Sequence, residues 1–390
     1  MKIYLKQNVW DAALERIEHI FDEFDDVVVS FSGGKDSTVT FQLAMMVAEK
    51  RNRLPLKVMF LDQEAEWQNV IDYVRDVMTD PRVDPMWFQM PIRMTNSTSN
   101  DQHFLHCWTE GDDEDWMRPK EDFAITENIY GTDRFFDLFP AIMKHHWPNK
   151  KLAVLAGVRA EESPARLAGL TTAATYKWIT WGKAVDKKVG QYNFYPLYDW
   201  SYTDIWKSIH ENGWQYAKAY DYFYQYGISP TKMRVSNLHH ETAVHQLFYL
   251  QEIERETWNK LTKRLEGINQ ARHMTKEDMF QAKKLPYMFK DWKEYRDHLL
   301  VNLVTDQSYQ DAMRKRFHAM DEKYGLMKDV SKLHKVHIAT VLAQDIDFTK
   351  CSNFEQNPYA ITYRRWRRGE PKDIKFVQKS EAKDWIPVAV

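Results

Sequence analysis

The sequence predicts an α/β fold, a parallel sheet with helices on both faces, followed by a mainly helical C-terminal region. Three apolar runs of the buried-strand type, at residues 27–29, 57–61 and 152–156, are separated by segments with helical periodicity. Alternating strands and helices are typical of parallel sheets, whose ligands lie beyond the carboxyl ends of the strands. Each run ends in a polar cluster, so we expect the functional site at that edge of the sheet.

The predicted elements follow one another regularly along the first part of the chain. Residues 9–24 place apolar side chains close to a helical period, and the β-branched run 27–29 leads into a Ser/Gly loop. A helix then extends to Lys50, and residues 67–78 have a second helical pattern after the next strand. Residues 91–148 are less regular, which predicts an insertion with exposed loops.

The strand signals fade beyond about residue 236, and this change predicts two regions. We expect a sheet-containing domain over residues 1–235 and a mainly helical region over residues 236–390, with a basic segment near its end. Within the second region, residues 252–265 and 276–284 have charged helical patterns.

Composition excludes several classes of protein. The 390 residues are 44% hydrophobic, enough to bury a substantial core. The 54 basic and 56 acidic side chains give a net charge of -2, which excludes a whole-protein field that attracts nucleic acid or membranes. Cys107 and Cys351 provide neither a disulfide framework nor paired metal-ligand spacing. The sequence lacks a signal-peptide core and a run of about 18 apolar residues, so we expect a soluble cytoplasmic protein.

The turn between the first strand and its helix has the chemistry of an anion-binding loop. Its backbone N–H groups lie at a helix N-terminus, where the dipole favours a phosphate. Lys35 adds a mobile cation, and Asp36 is a candidate ligand for Mg²⁺. The alternative is an ordinary Gly-Gly turn capped by Asp36 and Ser37. The candidate phosphate-binding residues are Ser30, Ser32, Gly33, Gly34, Lys35, Asp36 and Ser37.

Residues 30–37 match the signature S-x-S-G-G-K-D-S, so the chain resembles the PP-loop superfamily of ATP pyrophosphatases. Within that superfamily it resembles the phosphoadenosine phosphosulfate (PAPS) reductase branch. Residues 157–166 are similar to the branch's G-x-R-x-x-x-S-x-x-R segment, and residues 195–206 to its P-L-x-D-W-x-x-x-D-[IV]-W element. The resemblance covers roughly residues 20–235 and implies a PP-loop fold of the adenine nucleotide alpha hydrolase type.

The resemblance implies that the loop cradles the phosphates of ATP or a related adenine nucleotide such as PAPS. It further implies cleavage between the α- and β-phosphates with Mg²⁺, which gives AMP or an adenylylated acceptor plus pyrophosphate. Positioning and cationic clamps supply most of the catalysis in such transfers. The candidate catalytic residues are Lys35, Asp36, Arg159 and Arg166.

Two further positions are candidate nucleotide contacts, Gly157 and Asp62. The resemblance places Asp62 near the adenosine; alternatively, it only ends the second strand or caps the next helix. Arg159 and Arg166 have an alternative role as partners of the neighbouring glutamates or of surface carboxylates.

The segment 199–206 has mostly structural signals. Ser201 and Asp204 form a capping-box-like pair at a predicted helix start. Trp200 and Trp206 are expected in the core.

Over its whole length the chain is also similar to the IbrA-type subgroup, regulators or accessory proteins that often pair with a ParB-like partner. That likeness adds a second candidate function, a nucleotide-sensing regulatory subunit that acts with such a partner without turnover. A third candidate is sulfonucleotide reduction. Reductases of the branch use a cysteine in an E-C-G-L-H segment, and Cys351 lacks that context, so reduction is doubtful.

A candidate zinc site lies within the predicted insertion. His103, His106 and Cys107 are close in sequence, but a fourth ligand is not evident. Trp108 and Trp116 nearby favour a packing role for this segment instead.

A local basic cluster lies near the end of the chain, with aromatic residues among its arginines. Contact with nucleic-acid phosphates and stacking on bases is one interpretation. We favour the other, a solvated surface strand or a salt-bridged edge. The residues are Tyr363, Arg364, Arg365, Trp366, Arg367 and Arg368.

Overall fold

The computed structural model describes residues 5–99, 102, 104–171, 175–231, 233–235, 237–240, 243, 246–268 and 284–369. The chain forms two compact units that alternate along the sequence. The first unit comprises Met1–Met94, His106–Leu238 and Leu250–Arg264. The second unit comprises Thr95–Leu105, His239–Tyr249 and Leu265–Val390.

The described elements alternate between strands and helices in the first part of the chain and are helical afterwards. The strands are β1 (Asp26–Ser30), β2 (Leu56–Leu61), β3 (Val83–Phe88), β4 (Ile92–Thr95), β5 (Phe104–Cys107), β6 (Leu152–Ala156), β7 (Thr175–Tyr176), β8 (Ile179–Asp186) and β9 (Gln191–Phe194). The helices are α1 (Val9–Glu23), α2 (Lys35–Lys50), α3 (Gln68–Met78), α4 (Phe135–His146), α5 (Pro164–Thr171), α6 (Tyr202–Glu211), α7 (Ala219–Gln225), α8 (Leu247–Ile253), α9 (Arg255–Arg264), α10 (Trp292–Leu303), α11 (Gln307–Tyr324), α12 (Ser331–Leu342), α13 (Thr349–Gln356) and α14 (Pro358–Arg367). A single 3-10 turn at Ala160–Glu162 precedes α5.

Seven strands form one sheet in the order β3-β2-β1-β6-β9-β8-β7. The first five strands in this order are parallel, and β8 and β7 are antiparallel at one edge. The chain therefore adds strands on one side of β1 and then on the other, which makes the β1–β6 boundary a topological switch point. Open α/β sheets bind ligands at such points. The predicted α/β class with a helical C-terminal region is confirmed.

The strand β1 lies in the middle of this sheet because its residues are apolar on both faces. Val27, Val28 and Val29 are all buried. In the register with β6, Asp26 lies opposite Leu152 and Ser30 opposite Ala156. The carboxyl ends of the two strands therefore meet, and each continues into a polar loop.

The helix α1 packs one apolar face against the fold. It begins at the N-cap residue Asn8, whose side chain accepts a hydrogen bond from the backbone N–H of Asp11 at 2.8 Å. Such a cap satisfies a backbone donor that the first helical turn leaves unpaired. Ala13, Ile17 and Ile20 recur at helical spacing and are buried, in agreement with the helical period predicted for residues 9–24.

Several elements were not evident from periodicity. β3 contains Pro85, which reduces its strand signal, but β3 is an edge strand and an edge tolerates a missing N–H donor. The hairpin of β8 and β9 also lacked a clear pattern. Residues 91–148, predicted to be irregular, contain β4, β5 and α4 among their loops.

The first unit includes a helix from beyond the predicted boundary at 235/236. The predicted helix 252–265 corresponds to α9, and its residues belong to the sheet-containing unit. Trp258 and Leu261 are buried, and Arg264 forms an ion pair with Glu64 at 2.7 Å. These contacts explain why the chain returns to the first unit at this point.

The second unit has an apolar core of its own, formed by helices α10 to α14. Its largest fully buried side chains are Phe317, Tyr324 and Tyr363. The helix predicted at 276–284 lies outside the described residues except for Lys284. None of the described helices combines the length and apolar character needed to cross a membrane.

The basic cluster at 364–368 is not a surface strand, and that prediction was wrong. It lies in and directly after α14, which begins with Asn357 as N-cap and Pro358 in its first turn. Both residues are strong helix-start signals. Tyr363 is fully buried, and Arg367 donates hydrogen bonds to the backbone carbonyls of Glu322 and Lys323. The Tyr363 ring is therefore not exposed for stacking on bases.

Candidate functional site

The loop of residues 30–37 joins the carboxyl end of β1 to the first turn of α2. The Ser37 hydroxyl donates a hydrogen bond to the Gly34 carbonyl at 2.8 Å and accepts one from the Ser32 N–H at 3.2 Å. Hydroxyl groups of the loop thus hold its shape. The N-terminus of the 16-residue helix α2 then lies at the switch point of the sheet, where its dipole favours an anion.

Two glycines permit close approach of backbone at this edge. Gly33 has a φ of +68°, and a Cβ atom at this position would lie 2.7 Å from Cγ1 of Val70. Gly157 follows β6, and a Cβ atom there would lie 2.6 Å from the backbone of Asp36 and Ser37. Side chains at these positions would collide with their neighbours, so both glycines are required by the packing of the loop.

Lys35 is buried in the first turn of α2. Its ammonium donates a hydrogen bond to the Met233 carbonyl at 3.2 Å and lies 3.4 Å from Oδ2 of Asp36. Burial lowers the pKa of Lys35, but the nearby Tyr220 hydroxyl and the Asp36 carboxylate outweigh it, so the net pKa is raised. The side chain is therefore a cation at neutral pH.

Asp36 also pairs with Arg159, which follows β6. The Nε atom of Arg159 donates a hydrogen bond to Oδ1 of Asp36, and the Arg159 side chain is 5% exposed. The carboxylate thus contacts two cations, Lys35 and Arg159. The sequence predicted all three residues as site residues, and the structure brings them together at the start of α2.

Arg166 lies apart from this group. Its side chain is 53% exposed and lies 3.6 Å from Glu162 on the preceding turn. Glu162 also faces Arg234, whose Nη2 donates a hydrogen bond to the Glu162 carbonyl at 2.9 Å. The proposed alternative role of Arg166, pairing with a neighbouring glutamate, is thus the arrangement in the structure.

Tyr220 and Arg234 belong to the surroundings of the loop, but the sequence did not indicate them. The Tyr220 hydroxyl accepts a hydrogen bond from the backbone N–H of Lys35 at 3.1 Å. The ring of Tyr220 also lies 5.4 Å from the Lys35 ammonium. Tyr220 is one of several tyrosines within residues 216–226, and no local pattern separates it from the others.

Asp62 is fully buried at the end of β2, and its carboxylate is saturated by protein donors. Oδ1 accepts hydrogen bonds from the Glu64 N–H and from the Arg118 guanidinium. Oδ2 accepts hydrogen bonds from Trp87 at 2.9 Å and from Gln89 at 3.0 Å. This arrangement ties the loop after β2 to β3 and to Arg118, which sequence reasoning missed.

Two more buried carboxylates follow Asp62. Glu64 pairs with Arg264 and accepts a hydrogen bond from the Trp108 N–H at 2.9 Å. Glu66 borders a cavity of about 160 Å³ that is also lined by Arg118. Burial, reinforced by the charge of Asp62, raises the pKa of Glu66 to about 8, so Glu66 is protonated at neutral pH.

Both cysteines are buried. Cys107 Sγ donates a hydrogen bond to the Gln63 carbonyl at 3.2 Å, and burial raises its pKa well above the usual value. Burial raises the pKa of Cys351, in the second unit, to about 11. The two groups are thus thiols, not thiolates, at neutral pH.

The candidate zinc ligands do not converge within the described residues. His106 is exposed whereas Cys107 is buried, because neighbouring residues of β5 point to opposite faces. His103 lies outside the described residues.

The element at 199–206 makes the structural contacts that its sequence predicts, except that Trp206 is half-buried and not in the core. Ser201 and Asp204 form a capping box at the start of α6, and Trp200 is buried. Asp199 makes a two-pronged ion pair with Arg16 of α1. The segment thus fixes α6 and α1 in the first unit.

Comparison with known protein families identifies the family of the chain. Residues 26–226, more than half of the chain, match the family described as the phosphoadenosine phosphosulfate reductase domain. The chain belongs to the phosphoadenosine phosphosulfate reductase domain family. The matched residues contain the 30–37 loop, Arg159 and Tyr220. Residues 227–378 match a second family, described as a domain of unknown function, DUF3440.

Individual relatives are distant. The uncharacterized protein YbdN of Escherichia coli (strain K12) is 28% identical over 321 residues, which cover 79% of this chain and 78% of YbdN. Among solved structures, the FMN adenylyltransferase of Candida glabrata has a TM-score of 0.35 at 12% identity, over 56% of this chain and 62% of that chain. The PAPS reductase of Candida auris, in a phosphate complex, has a TM-score of 0.34 at 15% identity, over 62% of this chain and 99% of that chain.

Proposed function

We propose that the chain binds ATP, or a related adenine nucleotide such as PAPS, with its phosphates at the 30–37 loop, and that it cleaves ATP between the α- and β-phosphates. The observation that carries this proposal is the group of Lys35, Asp36 and Arg159 at the N-terminus of α2. A polyphosphate is the anion best suited to two buried cations at the N-terminus of a helix.

Each residue of the site has a role in this proposal. Lys35 and Arg159 would neutralise phosphate oxygens. The loop serines would donate hydrogen bonds to the phosphates after their hydroxyls turn away from their present partners in the loop. Gly157 lets the end of β6 lie against the loop, so that Arg159 reaches it. Asp62 supports the neighbouring loop through its four hydrogen bonds, which leave little capacity for an adenosine hydroxyl. The role predicted for Arg166, to neutralise phosphate or sulfate oxygens, stays a prediction, since its exposed side chain pairs with Glu162.

The residues present fit a bound Mg²⁺. This ion is commonly held by one or two carboxylates together with substrate phosphates and water. Asp36 supplies one carboxylate, 14% exposed, at the loop. Mg²⁺, when bound, would stabilise negative charge on the phosphate oxygens. Before Asp36 can ligate it, Arg159 has to exchange its carboxylate partner for a phosphate.

The proposed reaction is a displacement at the α-phosphorus. A nucleophilic oxygen forms a bond to that phosphorus while the bond to the bridging α–β oxygen breaks, and pyrophosphate leaves with the electron pair. Water as nucleophile gives AMP, and a hydroxyl or carboxylate acceptor gives an adenylylated product. In both cases the loop holds the phosphates while the buried cations offset the developing charge.

Product analysis with α-labelled ATP and Mg²⁺ tests this proposal. We expect labelled AMP or a labelled acceptor, and loss of both in Lys35→Ala and Asp36→Ala. Lys207→Ala is a matched control, because Lys207 is 69% exposed on α6. Nucleotide binding without turnover, with every acceptor supplied, would refute the cleavage step. A lack of any nucleotide binding would refute the whole proposal.

A second candidate is a nucleotide-sensing regulatory subunit that acts with a ParB-like partner without turnover, as the IbrA-type resemblance suggests. The pairing of Asp36 with both Lys35 and Arg159 favours it, since a carboxylate so engaged is a poor metal ligand until a nucleotide releases it. Partner affinity measured with and without ATP tests the idea. Equal affinity in both conditions would exclude it.

Sulfonucleotide reduction is the least supported function. It requires a reactive thiolate, whereas burial raises the pKa of both Cys107 and Cys351. We therefore do not assign either cysteine a redox role.

A further inference from the structure

The second unit contains a cluster of potential metal ligands. His334 and His337 lie three residues apart on α12, so their side chains share one face of that helix. Asp321 projects from α11, and its Oδ1 lies 3.6 Å from Nδ1 of His334 and 3.8 Å from Nδ1 of His337. One ligand atom of each residue lies within 4.8 Å of the others. A single ion can bridge atoms at these separations after small side-chain shifts.

Arg296 of α10 is the cation now nearest to this cluster. Its Nη1 lies 2.7 Å from Oδ2 of Asp321, 3.3 Å from Nδ1 of His337 and 3.5 Å from Nδ1 of His334. The rest of the guanidinium is held by Asp297, through Nη2 at 2.6 Å and Nε at 2.8 Å. One guanidinium therefore pairs with two carboxylates, Asp321 and Asp297.

Two polar atoms of the cluster are buried without a hydrogen-bond partner among the described residues, Oδ1 of Asp321 and Nε2 of His337. A buried carboxylate oxygen without a donor, such as Oδ1 of Asp321, calls for an explanation such as a bound cation. Oδ1 of Asp321 is one of the three atoms that converge.

The ring of His337 is held in place from one side. Phe317 stacks on it with ring centroids 4.3 Å apart and an angle of 16° between the planes. A donor at Nδ1, here Arg296, assigns the ring proton to Nε2 and leaves the Nδ1 lone pair directed at the cluster. A cavity of about 330 Å³ borders Arg296, Phe317 and Asp321, and it provides room for Arg296 to move aside.

We propose that Asp321, His334 and His337 form a binding site for a divalent transition metal, with Zn²⁺ as the best-suited ion. Two imidazole nitrogens and one carboxylate oxygen are a common zinc ligand set, which leaves a fourth position for water. The ion takes the position that Nη1 of Arg296 now approaches, and the Arg296 guanidinium moves aside toward the cavity that it borders. The site belongs to the second unit, whereas the proposed nucleotide site belongs to the first.

Zn²⁺ titration of the full chain, after treatment with a chelator, tests this site. We expect one Zn²⁺ per chain at the cluster, and binding weakened by at least about 100-fold in His337→Gln and in Asp321→Asn. His318→Ala is the matched control, since His318 lies on the same helix as Asp321 but is 75% exposed. Substitution with Co²⁺ should give the visible absorption of a four-coordinate site in the unchanged chain and in His318→Ala, and should not give it in His337→Gln or Asp321→Asn.

Arg296→Gln separates the metal site from a plain ion-pair network. If Arg296 and the metal compete for the same ligands, this variant should bind Zn²⁺ about tenfold more tightly than the unchanged chain. ATP binding should be equal in all these variants. The proposal is overturned if neither the unchanged chain nor Arg296→Gln binds Zn²⁺. It is also overturned if His337→Gln and Asp321→Asn, shown to be folded by circular dichroism, keep full affinity.

Discussion

Arg159 forms an ion pair with Asp36 across 123 residues of sequence, at the first turn of the helix that follows the 30–37 loop. The pair exists because β6 lies directly beside β1, so the residues after the two strands share one edge of the sheet. A phosphate group that enters this edge would exchange one anionic partner of Arg159 for another.

We expect Arg159→Ala to weaken ATP binding by about tenfold or more, because a charge-assisted hydrogen bond to phosphate is lost. Calorimetric titration of the variant with ATP measures the effect. Arg82→Ala is the control, since Arg82 is 48% exposed and pairs with Asp80 away from the loop. Unchanged affinity in Arg159→Ala would remove Arg159 from the phosphate site.

Gly157→Ala should destabilise the first unit by about 1–3 kcal/mol, because its Cβ atom would overlap the backbone of Asp36 and Ser37 at 2.6 Å. Any displacement of that backbone also moves the N–H groups that we propose to bind phosphate, so ATP affinity should fall. Gly169→Ala provides the contrast. Gly169 lies in α5 with no atom within 4 Å of an added Cβ, and alanine there should stabilise by up to about 1 kcal/mol. Urea denaturation of the two variants compares them.

Glu66 makes stability depend on pH. Its pKa is raised from 4.5 in the unfolded chain to about 8 in the folded one, so the folded state binds a proton more tightly. The contribution of Glu66 to the free energy of unfolding is therefore full below pH 4.5, and it is lost as the pH rises through about 8. Relative to the unchanged chain, Glu66→Gln should therefore gain more than about 1 kcal/mol of stability between pH 5 and pH 8. Denaturation curves at both pH values measure this gain, and a parallel response in both proteins would contradict it.

The pH experiment has a surface control. Glu211→Gln changes a carboxylate that is 60% exposed on α6, so its stability should follow the unchanged chain at both pH values.

Neither cysteine should react readily with a thiol reagent in the folded protein. Cys107 and Cys351 are buried, and burial raises the pKa of both. We expect labelling at pH 8 to be at least about tenfold slower in native buffer than in denaturant. Mass spectrometry of the labelled chain assigns each site. Fast native labelling of Cys351 would reopen the reductase hypothesis.

Much of the fold was predictable from local sequence. The apolar run 27–29, the Ser/Gly loop and the periodic helix after it identified β1 and α2, because a buried strand and an amphipathic helix each leave a local pattern. The order of the strands in the sheet leaves no such local pattern. That β6 lies beside β1, and that the chain ends its sheet with an antiparallel hairpin, depends on contacts distant in sequence.

The sequence predicted which residues belong to the site, but it did not predict the contacts between them. Lys35, Asp36 and Arg159 were all expected to face phosphate, but their mutual pairing follows from the strand order. The Tyr220 hydroxyl accepts a hydrogen bond from the Lys35 N–H, but the two residues are 185 positions apart in the sequence. Tyr220 also lies among several other tyrosines, so no local pattern distinguishes it. The burial of Asp62 under Arg118 depends on a loop without periodicity. The helix at 358–367 was missed because the Asn-Pro start signal before the arginines was not used.

The position of β6 in the sheet also sets an order of assembly. A chain that leaves the ribosome from its N-terminus presents β1, the 30–37 loop, β2 and β3 long before Leu152–Ala156 emerges. Until then the loop lacks both the backbone that Gly157 brings against it and the cation that Arg159 supplies. Domains whose central contacts are distant in sequence fold slowly and expose apolar strands meanwhile. Nascent chains that end before residue 157 should therefore fail to retain ATP, and competence should begin only once both halves of the sheet have been synthesised.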